Sequence, residues 1–168
     1  FPPRPTRAAR LPHYFATVEA IITYSRHVIS STPARSTICI FTDLNDGLGM
    51  QKIDTSWARI DSLAVGPACT KEHNVRGAGS CFRVLLETFH MLAVNTLGTE
   101  IRNTYFWAES SSRIDFAVVP QGLTNHVLSQ GPLLRLGRAL QAIKTKQRLD
   151  HVPVHCSFQY ELNMALQW

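Results

Sequence analysis

The stretch ICIFTDLNDGLG at residues 38–49 constrains the fold more than any other part of the chain, because an apolar run ends there abruptly in acids, an amide and glycines. Ile38, Cys39, Ile40 and Phe41 are apolar at consecutive rather than alternate positions, the pattern of a strand covered on both faces in a layered α/β domain. Asp43 then falls at the C-terminal tip of that strand. In open α/β sheets this edge gathers ligands, because the loops leaving the strands aim polar side chains into one crevice. Two other readings compete. Asp, Asn and Gly together also make an ordinary turn, since Asx side chains bond local backbone and glycine accepts positive φ. A calcium loop would use Asp43, Asn45 and Asp54 as ligands, but Leu48 stands where that loop needs glycine, and a strand rather than a helix precedes it.

With 168 residues, 45% of them hydrophobic and 17% charged, the chain can bury one sizeable core and does not have the composition of a disordered segment. No apolar stretch reaches the length of a membrane span, and the opening FPPRPTRAAR lacks the apolar centre of a signal peptide, so no membrane partner is expected. The first residue is not methionine, as expected if the N-terminus is processed or the chain is a piece of something longer. Cys39, Cys69, Cys81 and Cys156 show no C-x-x-C spacing. Read as free thiols, two of them small hydrophobes within apolar runs, they favour a reducing intracellular compartment and oppose a thiolate zinc site. A net charge of +5 and a pI near 9.3 suit an anionic partner. Arg4, Arg7 and Arg10 form an arm without acids, and Arg135, Arg138, Lys144, Lys146 and Arg148 form a second acid-free cluster. Each cluster fits a solvated face as well as a stripe that follows phosphates.

In chain order, a proline-rich lead-in precedes a helix over residues 14–29, whose stripe is Phe15, Val18, Ile21, Ile22, Val28 and Ile29. Residues 50–79 carry little pattern beyond a short helical turn near Trp57. Ser80 is placed to cap a second helix, with Phe82, Leu85, Leu86, Phe89, Leu92 and Ala93 on one face and Asn95 and Gly98 as stops. Residues 104–107 and 113–119 read as a hairpin through the serines at 110–112. In its second strand Asp115 sits on an apolar face, where a carboxylate costs several kcal/mol unless it is hydrogen-bonded or paired. Arg113 or a backbone amide would suffice as that partner. A short basic helix over residues 133–143 and a last strand over residues 152–158 complete the chain, with Asp150 and His151 at the entrance to that strand.

Three acidic sites therefore stand at strand ends or in a strand: Asp43 with Asn45, Asp115, and Asp150 with His151. Hydrolysis of a phosphoester uses such a set. Carboxylates hold a hard cation and orient water, and an imidazole steadied by a carboxylate stabilises charge on the phosphoryl group. In these motifs the sequence resembles the endonuclease/exonuclease/phosphatase superfamily of DNase I-like fold. Thr42-Asp43-Leu44-Asn45 resembles its Gly-Asp-x-Asn motif, Ser112-Arg113-Ile114-Asp115-Phe116 its Ser-x-Ile-Asp-Tyr motif, and Leu149-Asp150-His151 its Ser-Asp-His motif. The run from Asp43 to Gly49 and the segment Val94-Asn95-Thr96 are similar to the endonucleases of LINE-type retrotransposons. Thr42 departs from the family's glycine, Phe116 from its tyrosine and Leu149 from its serine.

The resemblance implies an α/β fold, the C-terminal half of a DNase I-like sandwich with a mixed sheet flanked by helices. Residues 1–168 would be a partial domain without the first half of the sandwich and its metal-binding glutamate. It implies that Asp43 orients water, Asn45 positions water or phosphate, Asp115 holds His151, His151 stabilises the transition state, and Asp150 binds Mg²⁺ or Mn²⁺. DNA is the implied partner, met by Arg4, Arg7, Arg135, Arg138, Lys144 and Lys146 in an intracellular setting, the nucleus included. The leading expectation is a Mg²⁺-dependent DNA-nicking endonuclease domain of a retroelement-type protein, inactive as this piece, with one sheet face left bare. A phosphatase on the same fold and a non-catalytic relic that binds nucleic acid weakly are the alternatives.

Overall fold

The computed structural model describes residues 1–49, 53–54, 59–60, 64–69, 77–98, 102–107, 110–140 and 151–159. In chain order the elements are α1 (Leu11–Ser31), β1 (Ile40–Asp43), β2 (Ile53–Asp54), β3 (Arg59–Ile60), α2 (Ala78–Thr88), β4 (Met91–Ala93), β5 (Tyr105–Trp107), β6 (Ser110–Ser112), β7 (Asp115–Pro120), β8 (Val127–Pro132), α3 (Leu134–Leu140) and β9 (Val154–Phe158). The fold is α/β. Its centre is a three-stranded sheet in the order β1-β7-β4, with β7 antiparallel to both neighbours. A single parallel bridge joins Val65 to Ala93.

The strand buried on both faces is β7. On one side Phe116 and Val118 join Met91 and Ala93 against Val18 of α1 and Phe82, Leu85 and Leu86 of α2. On the other, Ala117 and Val119 join Leu92 and Val94 against Val127 of β8 and Val154, Cys156 and Phe158 of β9. The strand β1 has the same consecutive apolar pattern but lies at the sheet edge. There Ile38 and Ile40 reach the core, while Cys39 is exposed and Phe41 is 60% exposed. Two-sided burial was expected of β1, and edge position overrides it, because a strand end in the sheet order has neighbours on one flank only. The face expected to be bare is covered over β4 and β7 by the β8–β9 hairpin, so this chain by itself supplies two packed layers. Phe41, opposite Ala117 on that face, stays exposed.

Other expectations are corrected by tertiary contacts. The helix α1 buries Tyr14 and Val18, whereas Phe15, one residue on, is exposed. The second helix does not reach residue 93. It stops at Thr88, His90 takes a left-handed φ of 50°, and Met91–Ala93 extends as β4 beside β7. Burial of that apolar triplet between two layers outweighs its helical spacing. The expected hairpin is split: β5 pairs with β6, whose residues are the serines read as the turn, and β7 belongs to the central sheet. Gly137 lets α3 lie close to Val152, where a Cβ would come within 3.1 Å of a valine methyl carbon. Trp57 and residues 141–143 lie outside the described residues.

The helix α2 is capped from outside its own sequence. Ser80, the expected cap, falls within it; the helix begins at Ala78 after Gly77, with no side-chain bond from that N-cap residue. Instead Asp46 accepts the Gly79 N–H at 2.9 Å, and the Tyr14 hydroxyl accepts the Ala78 N–H at 3.1 Å. Asp46 is an anion at a helix N-terminus, where the dipole favours it. Asp46→Ala is expected to cost about 1 kcal/mol, by analogy with other helix caps, read as a shift in the midpoint of urea denaturation with unchanged slope.

Candidate active site

The antiparallel register that joins β1 to β7 places Asp43 directly opposite Asp115. Like charges facing each other across a ladder are unfavourable, so this rim calls for a positive or proton-donating group. His151 fills that place. Its Nδ1 lies 3.2 Å from Asp115 Oδ1 and 3.3 Å from Oδ2, and its Nε2 lies 3.9 Å from Asp43 Oδ2. An ionised carboxylate only accepts, so Nδ1 carries the proton and Nε2 is turned toward Asp43. At 3.9 Å these two groups do not bond directly. One water molecule, donating a proton to each, could bridge them at about 2.8 Å.

Each member is held by its own segment. Asp43 Oδ1 accepts the Asn45 backbone N–H at 3.0 Å, and Oδ2 lies 3.3 Å from Asn45 Nδ2. The turn and the site are thus the same structure: Asn45 has a φ of 52°, and its Asx bond aims the acid. Asn45 Nδ2 also donates to the Phe1 carbonyl at 2.7 Å, and the Phe1 amine donates to the Asp43 carbonyl at 2.8 Å. Phe1 thus ties the segment bearing exposed Arg4 and Arg7 to the rim. Asn95 fixes Asp115 from the opposite flank. Where β4 ends, its amide continues the ladder, donating to the Asp115 carbonyl at 2.9 Å and accepting the Ala117 N–H at 3.1 Å. Arg113, the nearest cation in sequence, turns away to the carbonyls of Arg102 and Ala68.

His151 makes an antiparallel bridge with Tyr105, and the two ring centroids lie 5.0 Å apart at 55°. Tyr105 was legible only as a strand residue; nothing local marks an aromatic as the wall of a histidine 46 positions away. Asp43, Asn45, Asp115 and His151 are thus brought together. Asp150, Lys144 and Lys146 lie outside the described residues, as does the side chain of Arg138, while Arg135 is exposed on α3.

Desolvation is the largest influence on Asp115 and raises its pKa; a hydrogen bond from Thr104 and the charge of His151 oppose the rise, and Asp43 adds to it. A raised carboxylate pKa means that the folded state binds the proton more tightly than the unfolded chain. The resulting cost in stability is absent below the unfolded pKa, about 3.9, and grows as pH rises toward the folded value. Asp115→Asn is therefore expected to melt no lower than wild type at pH 7, with any gain vanishing near pH 3. Thermal denaturation across a pH series checks it.

Asp43, Asp115 and His151 each offer one donor atom, all within 4.8 Å of one another. Two carboxylates and an imidazole are a donor set that could hold a divalent cation. The fold is α/β of the DNase I-like type, and its rim carries an acid–imidazole pair at the strand ends. No protein-family model matches the sequence, and no curated protein matches it. Among solved structures the chain is similar to the 3' phosphatase NExo from Neisseria bound to product DNA hairpin. The TM-score is 0.53 at 14% identity, over 85% of this chain and 52% of that one. The chain thus spans about half the length of the structure it matches. No described helix is long and apolar enough to cross a membrane.

Proposed function

We propose that this protein hydrolyses phosphoesters of DNA with a divalent cation, as a DNA-nicking endonuclease domain of the retroelement type. The observation that carries the reading is His151 held by Asp115 on Nδ1 and turned by Nε2 toward Asp43. Asp43 orients the attacking water in line with the scissile P–O bond, and Asn45 keeps that carboxylate aimed. Protonated His151 donates from Nε2 to the non-bridging oxygen on which charge builds, and Asp115 steadies the imidazolium. Asp43 and Asp150 would hold Mg²⁺ or Mn²⁺, which when bound supplies charge neutralisation at the phosphate. Arg4, Arg7, Arg135, Arg138, Lys144 and Lys146 follow the phosphate backbone, a contact that carries affinity rather than sequence preference.

A second reading, hydrolysis of a terminal phosphomonoester, is favoured by the likeness to a 3' phosphatase. The test runs both reactions: nicking of supercoiled plasmid, and release of phosphate from a 3'-phosphorylated hairpin, in Mg²⁺ and in Mn²⁺. Two carboxylates offer a hard cation few protein oxygens. Turnover by this chain is therefore expected to be slow, by about a thousandfold for each 4 kcal/mol of stabilisation missing, and protein in excess over DNA is the suitable regime. Metal-dependent product that Asp43→Ala removes is the expected result. Product formation indifferent to metal or to Asp43→Ala would sink the proposal. No product from either substrate, together with salt-sensitive DNA binding, would identify a non-catalytic relic.

A further inference from the structure

Asp115 and His151 lie on segments that do not pair with each other: β7 pairs with β1 and β4, and His151 bridges to Tyr105. What sets the distance between them must come from a third segment. Thr104, fully buried just before β5, touches both. Its hydroxyl oxygen accepts the backbone N–H of Ile114 at 3.1 Å and of Asp115 at 3.0 Å. Its carbonyl accepts the N–H of Val152, the residue after His151, at 2.7 Å, and its own N–H donates to Ser112 at 2.9 Å. With both lone pairs of the hydroxyl engaged by these donors, only its proton remains to be offered to an acceptor.

We infer that Thr104 is a positioning residue of the site: its hydroxyl and carbonyl tie the Asp115 and His151 segments together, so that the imidazole keeps its proton on Nδ1 and its Nε2 in the crevice. Thr104 acts only through this pair. Partners at this remove from a catalytic group typically change activity by about 10- to 100-fold. The catalytic part rests on the phosphoesterase reading; the tautomer does not. Thr96 is the matched control. It is equally buried, and its hydroxyl accepts the Gly66 N–H at 2.7 Å and donates to the Ala93 carbonyl, contacting neither Asp115 nor His151.

Long-range ¹H–¹⁵N spectra of the imidazoles in the full chain test this, with His151 assigned by its loss in His151→Gln. The wild type is expected to show His151 as the Nδ1–H tautomer. Thr104→Ser, which keeps the hydroxyl, should retain that signature, and so should Thr96→Val. Thr104→Val should show a mixture of tautomers, with kcat lowered about tenfold or more and KM little changed. A folded Thr104→Val with an unchanged tautomer would overturn the inference. If Thr104→Val does not fold, Thr104→Ser decides: retention of the signature supports the role of the hydroxyl, and its loss refutes it. Because the tautomer is read without DNA, an absence of turnover in every variant would remove the phosphoesterase reading and leave this result intact.

Discussion

If the proposed DNA phosphoester hydrolysis holds, His151→Ala is expected to slow it by about two to three orders of magnitude, roughly 3–4 kcal/mol in barrier, while barely changing stability. The two effects separate because of where the side chain sits. His151 is 41% exposed and makes its polar contacts with Asp115 and Asp43, so its removal opens no sealed cavity. The group lost is the only described imidazole between those two acids. Without it Asp115 and Asp43 face each other across the ladder with no described side chain between them to share or donate a proton. Single-turnover rates beside thermal melts check this. A variant that melts like wild type and reacts like wild type would remove His151 from the chemistry.

Gly79→Ala is expected to destabilise the protein by about 3 kcal/mol, toward the upper end for overpacking, and to lower its melting temperature by roughly 6–12 °C for a chain of this size. A Cβ at Gly79 would press into the Gly47 carbonyl, which is backbone and cannot swing aside, and would crowd the Asp46 carboxylate. Gly79 also donates its N–H to that carboxylate. The substitution should therefore push the whole 43–49 turn off α2, moving Asp43 with it, so stability and activity fall together. Gly122→Ala is the comparison: nothing lies within 4 Å of its Cβ, and a change within about 0.5 kcal/mol is expected. Calorimetry of the two variants side by side measures the difference.

The sequence by itself marked the candidate site residues and the existence of most elements. An acid with an amide two positions on, a carboxylate in an apolar strand, and an Asp-His pair before a strand are each local anomalies, and local anomalies are visible without a partner in view. The carboxylate at 115 showed that something polar must wait for it; it could not show whether that was Arg113, a backbone amide or His151. Only the tertiary structure decided which apolar run is central. Residues 38–41 and 116–119 carry the same consecutive pattern, which records a demand for burial but not the number of neighbouring layers, so β7 became the core strand and β1 the edge. The same limit explains Met91–Ala93, helical by spacing but extended because β7 offers a ladder and both layers offer cover. It also explains Asp46, Tyr14 and Thr104. Each satisfies backbone groups far away in sequence, and a hydrogen bond across such a separation leaves no trace in local periodicity. The site's residues were written locally, and their distances come from the register of strands that meet only in the folded chain.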